Sequence, residues 1–268
     1  MGLDLGLHGK VAVVTGGSRG IGKAIAAELA AEGADVAIVA RTAGPAEAAA
    51  TEIAAKTGRR VIATLADTGD DAAVQAMAAD VAARLGRIDI LVNCAAEPAG
   101  QGRTPLAWEV TQEQLMRQMN VKVMGYLRCA QAVLPHMRRA GWGRIISISG
   151  MGARKSGDTV GSIRNVAVVA MTKNLTEELA GSGISAVVVH PGYTKTDKVV
   201  DMIARRALEE GRTESEIEAG MASGNLNGHL PTPEDIAAVV AFLASPRSRA
   251  INGDVVAAAG GARVAIHY

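Results

Sequence analysis

The chain has 268 residues, 49% of them hydrophobic and 21% charged, with 28 basic against 27 acidic side chains. That composition supports a sizeable core and excludes a disordered chain, while a formal charge of +1 offers no footprint for nucleic acid or an anionic membrane surface. Cys94 and Cys129 make no disulfide framework and lack metal-ligand spacing, and no leader pattern or long apolar run is present, so a cytoplasmic protein without a metal is expected.

In chain order, short β-branched runs alternate with longer alanine-rich helical patterns. A strand expected at residues 11–15 leads into a helix at 21–31, and strands at 36–40 and 61–65 flank a helix at 46–56. A helix at 71–85 precedes a strand at 88–93, a long helix at 111–139 and a strand at 144–149. The remainder reads as a helix at 162–180, a strand at 184–190, a helix at 234–243 and a strand at 254–257. Nearly all the strands are continuously apolar, the pattern of a parallel sheet covered on both faces. The alternation predicts an α/β fold, a Rossmann-like doubly wound sheet of about seven strands, with residues 1–268 as a single domain.

Residues 197–231 break this rhythm with a charged middle, RRALEEGRTESEIE. The segment leaves the carboxyl end of a strand, where open α/β sheets bind ligands, so a substrate lid is expected there. The plainer reading is a surface helical pair.

The stretch VAVVTGGSRGIGKAIAAELA carries the first chemistry. A strand runs into Gly16, and Gly20 and Gly22 open a helix. Glycines there let the backbone approach a pyrophosphate, and the helix N-terminus supplies free N–H groups and about half a positive charge.

The Gly-x-x-x-Gly-x-Gly spacing resembles the short-chain dehydrogenase/reductase family, and the likeness extends over nearly the whole chain. TGGSRGIG at 15–22 looks like the family's cofactor loop, which implies cofactor contacts from Gly16, Ser18, Arg19, Gly20, Ile21 and Gly22. Asp67, followed by Thr68, matches the acidic residue that contacts adenine. NCAA, with Asn93 and Ala95, stands where the family has Asn-Asn-Ala-Gly beside the two riboses. HPGYTKT resembles the Pro-Gly turn that holds the nicotinamide carboxamide, which implies roles for Pro191, Gly192, Thr194 and Thr196. Asn120 in MNVKVMGY matches the helix asparagine of the active-site tetrad, and the segment from TPEDIAAVV onward is similar to the family's C-terminal signature. Family members are mostly dimers or tetramers paired through the helices after strands four and five, which implies a homo-oligomer; Val166, Val168, Val169, Met171 and Leu175 give the second of those helices an excess of apolar surface.

An acidic residue ending the second strand would accept a ribose 2′-hydroxyl and repel a 2′-phosphate. That position is Ala40, followed by Arg41 and Thr42, with Arg19 in the glycine loop. Two guanidinium groups favour a phosphate dianion by roughly 1.5–3 kcal/mol per charge-assisted bond, so NADP(H) is expected in preference to NAD(H).

The resemblance also implies a proton-donating tyrosine, a lysine four residues later and a serine after the fifth strand. Here the pair is missing. Anchored on AMTKNL, the two positions fall on Gly161 and Asn165; anchored on the fifth strand, on Ile163 and Ala167. The serine position falls on Gly150, with Ser149 one residue earlier and on the opposite strand face unless the strand bulges. None of the three tyrosines, Tyr126, Tyr193 and Tyr268, has a lysine four residues on. Replacement donors in reach of the site are Tyr193, Arg154, Lys155 and Asp158, while Arg164 lies about 100° around the helix from the lysine position. Two functions remain open at this point. One is an NADP(H)-dependent oxidoreductase acting on a carbonyl or hydroxyl of a small molecule with a non-standard proton donor, using Asn120 with Ser149 or Tyr193. The other is a nucleotide-binding protein without turnover, a sensor or silent partner subunit.

Overall fold

The continuously apolar runs become seven parallel strands: β1 (Val11–Thr15), β2 (Asp35–Ala40), β3 (Val61–Leu65), β4 (Ile90–Asn93), β5 (Gly143–Ile148), β6 (Ile184–Pro191) and β7 (Val255–Ala258). They pair in the order β3-β2-β1-β4-β5-β6-β7 in the computed structural model of the chain, which describes residues 4–97 and 103–261. The strand ends lie within two residues of the sequence pattern. β4 starts at Ile90, just after Asp89, whose side chain accepts from the Val11 N–H at 2.9 Å and from Arg87 at 2.7 Å.

The helices are α1 (Gly20–Ala31), α2 (Ala43–Thr57), α3 (Asp71–Leu85), α4 (Gln112–Gln118), α5 (Gly125–Ala140), α6 (Thr159–Glu178), α7 (Asp197–Glu210), α8 (Glu214–Ala222) and α9 (Pro233–Ala244). One face of the sheet buries Ile25, Leu29, Ile53 and Val240 from α1, α2 and α9. The other buries Val74, Met77, Val133 and Leu175 from α3, α5 and α6. Each fully buried aliphatic side chain contributes roughly 1.5–3 kcal/mol, and with so few aromatics the core depends on many such small terms. Among the described residues, no helix is long and apolar enough to cross a membrane.

The single long helix expected at 111–139 is divided. α4 ends at Gln118, a π-helical turn spans Met119–Met124, and α5 follows from Gly125. Gly125 lets that helix close on the loop after β3, since a Cβ there would stand 3.0 Å from Thr68. π-turns inside helices often mark functional positions, because the wider turn re-aims its side chains. β1 pairs with β2 on one side and β4 on the other, so the strand order reverses there and a cleft opens beyond the carboxyl ends.

Candidate active site

The cleft of about 600 Å³ at this reversal is built from backbone first. Gly16 adopts φ +68°, and a Cβ on it would sit 3.0 Å from the Ala95 Cα. A Cβ on Gly22 would collide with the Gly16 carbonyl oxygen, so only glycine lets α1 begin this close to the turn. Thr15 holds the opposite wall: its hydroxyl accepts from the backbone N–H of Cys94 at 3.0 Å and of Ala95 at 3.1 Å.

Gly16, Ser18, Arg19, Gly20, Ile21, Gly22, Arg41, Thr42, Asp67, Thr68, Ala95 and Thr196 line this one cleft. Arg19 and Arg41 are exposed, and neither guanidinium has a hydrogen-bond or ion-pair partner among the described residues. The Asp67 carboxylate accepts from the Gly69 N–H at 2.8 Å, which fixes its place in the cleft wall. Other expected contacts serve the frame. Thr68 donates to the Val121 carbonyl at 3.3 Å, Asn93 is fully buried with its amide on the Tyr126 carbonyl at 3.4 Å, and Thr194 donates to the Gly192 carbonyl at 3.2 Å. Pro191 and Gly192 end β6 against Ala259. A glycine cradle that a Cβ would fill, facing two unpaired guanidiniums, fits a dinucleotide with a 2′-phosphate.

Beyond β5 the arrangement departs from expectation. Asn120 is exposed; its amide donates to the Gly69 carbonyl at 3.3 Å and its Oδ1 accepts from Arg128 at 2.9 Å. It therefore braces the loop after β3 and does not face α6. The side chain of the π-turn that does turn inward is Lys122, two residues further on. Lys122 is 4% exposed, and its Nζ donates to the Ser149 carbonyl at 2.9 Å and to Asn165 Oδ1 at 2.9 Å. Burial pushes its ammonium down to about 7, the Arg164 charge pushes the same way, and Cys94 opposes them. The same burial raises the Cys94 thiol to about 11, so that sulfur is no ready nucleophile.

Ser149 is buried, and its hydroxyl donates to the Asn165 carbonyl at 3.1 Å, turned into the β5–α6 packing rather than toward the cleft. Gly161 and Asn165 are buried, whereas Ile163 is exposed, so 161 and 165 are the inward pair. Asp158 caps α6 by accepting from the Gly161 N–H at 2.9 Å, and Lys155 is exposed. Tyr193 is 65% exposed and does not line the cleft.

Sequence reasoning placed Arg164 off the site. The structure buries it, with NH1 donating to the Gln118 amide oxygen and, at 3.4 Å, to the Glu97 carbonyl. Glu97 in turn accepts from Gln118 at 2.6 Å and pairs with Arg117 at 3.2 Å. The signal for Lys122 was present, a lone cation inside an apolar helical run. α7 and α8 pack on each other through Ile203, Ala207 and Ile217, and Asp197, Lys198 and Asp201 at the start of α7 line the cleft.

A family model of short chain dehydrogenases matches residues 10–206. The chain is similar to the short-chain reductase protein NovJ of Streptomyces niveus, with 37% identity over 253 residues, 94% of this chain and 93% of that one. It also resembles L-sorbose reductase from Gluconobacter frateurii, solved with NADPH and L-sorbose, at 28% identity and TM-score 0.91 over 98% of this chain and 100% of that one. A third likeness is to 3-oxoacyl (acyl-carrier-protein) reductase of Agrobacterium tumefaciens C58 with NADP bound, at 26% identity and TM-score 0.84 over 96% of each chain.

Proposed function

The chain belongs to the short-chain dehydrogenase family, and we propose that it is an NADP(H)-dependent reductase whose proton does not come from the family's tyrosine. The observation that carries this reading is the pairing of an intact glycine cradle with bare positions at Gly150 and Gly161. NADP(H), when bound, supplies the hydride chemistry. Gly16, Gly20 and Gly22 take its pyrophosphate at the α1 N-terminus, and Arg19 and Arg41 take the 2′-phosphate. Two solved relatives hold the phosphorylated cofactor, which supports the same choice here.

The substrate is a small molecule with a carbonyl or a secondary hydroxyl. Its entry is bounded by the residue 197–231 segment, acting as a lid hinged where the Lys195 N–H meets the Pro231 carbonyl at 2.8 Å. Without a phenol tuned by a neighbouring ammonium, simple ketones are poor substrates, and an activated carbonyl is favoured. We further propose a homo-oligomer through α5 and α6, supported by Ile163 and Val166, which are 42% and 50% exposed on α6.

Bare positions at 150 and 161 also support a second reading, a cofactor-binding protein without turnover. Loss of dihydronicotinamide absorbance separates the two, using NADPH with a polyhydroxy ketone, a 3-oxoacyl thioester and a simple cyclic ketone. The reductase reading expects turnover on an activated member of the set and rates for the simple ketone well below the roughly 1–10³ s⁻¹ typical of enzymes. Tight NADPH binding with no oxidation on any carbonyl would favour the silent protein. Rapid reduction of the simple ketone would remove the case for a non-standard donor.

A further inference from the structure

Lys122 is the one buried lysine among the described residues, and no carboxylate pairs with it there. A buried ammonium without a counter-ion is costly, so its retention calls for a chemical reason. Its two acceptors, the Ser149 carbonyl and Asn165 Oδ1, belong to the end of β5 and the middle of α6. An ammonium has three N–H groups, and no further acceptor for the third is found among the described residues.

Those two acceptors lie beside Gly150 and Gly161, which carry no side chains, and Asn165 and Asp158 fill the places a Cβ would take there. Gly150 follows Ser149, and a Cβ on it would meet Asn165 Nδ2 at 3.2 Å. Gly161 lies one turn before Asn165, and a Cβ on it would meet the Asp158 carboxylate. The cation thus arrives from the π-turn between α4 and α5, which packs against α6, and is held by an amide on α6. In one of the two registers that the family resemblance allows, Asn165 stands where the lysine would be.

We propose that Lys122 is the proton donor of this enzyme, its ammonium brought from the π-turn to the ends of β5 and α6, where Gly150 and Gly161 carry no side chain that could give a proton. This rests on the reductase reading above. In the reduction, the carbonyl carbon gains a hydride, the dihydronicotinamide is oxidised, and the carbonyl π electrons pass to oxygen. One N–H bond of the Lys122 ammonium breaks to supply the alcohol proton, directly or through one water. The amine left behind is neutral and takes its next proton from solvent.

The groups around Lys122 suit that cycle. Arg164 on α6 lies close enough to disfavour the charged form. Cys94 after β4 and Tyr126 on α5 stay protonated, the Tyr126 phenol donating to the Ile148 carbonyl at 2.9 Å. His190 on β6 is engaged through Nδ1, which accepts from the Gly150 N–H at 3.2 Å. An acid balanced near neutral pH is what proton transfer at that pH requires.

The test uses the full chain with lysine side chains ¹³C-labelled at Cε, followed by NMR across a pH series, free and with NADP⁺ or NADPH. Comparison with Lys122→Met identifies the resonance. Exposed lysines titrate at about 10.4. The Lys122 signal is expected to titrate near neutral pH, with a lower midpoint beside the positively charged nicotinamide of NADP⁺ than beside NADPH. A Lys122 signal with the same shift and midpoint in all three states overturns the proposal, and so, even if Lys122→Met fails to fold, does a spectrum in which every lysine signal titrates near 10.4.

On any carbonyl that turns over, reduction should be level below neutral pH and fall about tenfold per pH unit above it. Lys122→Met should lose about 10²–10⁴-fold in rate while binding NADPH within twofold of the parent. An unchanged rate and pH profile in that variant also overturns the proposal. A cofactor-sensitive Lys122 signal with no turnover on any carbonyl instead overturns the reductase reading and leaves Lys122 as a cation facing the cofactor.

Discussion

The two halves of the cleft are made differently. The side under β1 and β2 is shaped by main chain: Gly16 in a left-handed conformation, Gly22 against the Gly16 carbonyl, and Thr15 clasping the Cys94 and Ala95 amides. The side at β5 and α6 is shaped by side chains, and there the cation sits on a different element from the one the family resemblance implies. Backbone-built recognition cannot be moved without losing the turn. A charge reached by a flexible four-carbon stem can be supplied from another helix.

The largest expected effect breaks the first side. Gly22→Val drives a branched side chain into the Gly16 carbonyl, and main chain cannot swing away as a flexible side chain can. NADPH affinity, read by fluorescence titration, should fall on the order of 100-fold or more, about 2.7 kcal/mol. An affinity within threefold of the parent would show that the cradle is not where the cofactor binds.

Next in size is an attempt to rebuild the second side. Gly161→Tyr with Asn165→Lys displaces the Asp158 cap and brings a second ammonium to the site that already holds Lys122. Like charges buried together are unfavourable, so Tm should drop by roughly 5–10 °C. Adding Lys122→Asn should restore most of that loss and make this triple variant the better catalyst for simple ketones. If the double variant melts no lower than the parent, Lys122 and position 165 do not share a site.

A smaller effect sharpens the contrast within the cofactor side. Arg41 is exposed and screened, so Arg41→Ala should reduce the preference for NADPH over NADH by about tenfold, near 1.4 kcal/mol. An unchanged ratio in paired titrations would remove Arg41 from the 2′-phosphate site.

The parallel sheet was legible because continuous apolar strands and amphipathic helices leave few other arrangements, and the glycine turn because only glycine tolerates its contacts. The break at Met119–Met124 was not legible. A π-turn has no composition of its own, and a change in winding there moved the inward position from Asn120 to Lys122. The choice between 161/165 and 163/167 was equally hidden, because a shortened loop can be absorbed at either end of α6. Burial of Gly161 and Asn165 and exposure of Ile163 favour the first of them.

A further expected effect is a slope. The Lys122 ammonium is held at about 7 in the folded chain against about 10.4 when unfolded, so between those values the unfolded state binds more protons. Stability conferred at this residue therefore rises with pH from about 7 toward 10. The difference in unfolding free energy between the parent and Lys122→Met should move in the parent's favour by up to about 1.4 kcal/mol per pH unit over that window. Parallel denaturation curves at each pH would check it, and a constant difference would mean that Lys122 is not desolvated.

The most direct measurement is a crystal structure with NADP⁺ and an activated ketone or its alcohol. The account predicts the 2′-phosphate between Arg19 and Arg41, and Lys122 Nζ within about 3 Å of the substrate oxygen or joined to it by one water. A substrate oxygen bound instead by Tyr193 or by a residue of 151–158, with Lys122 sealed behind Asn165, would contradict it.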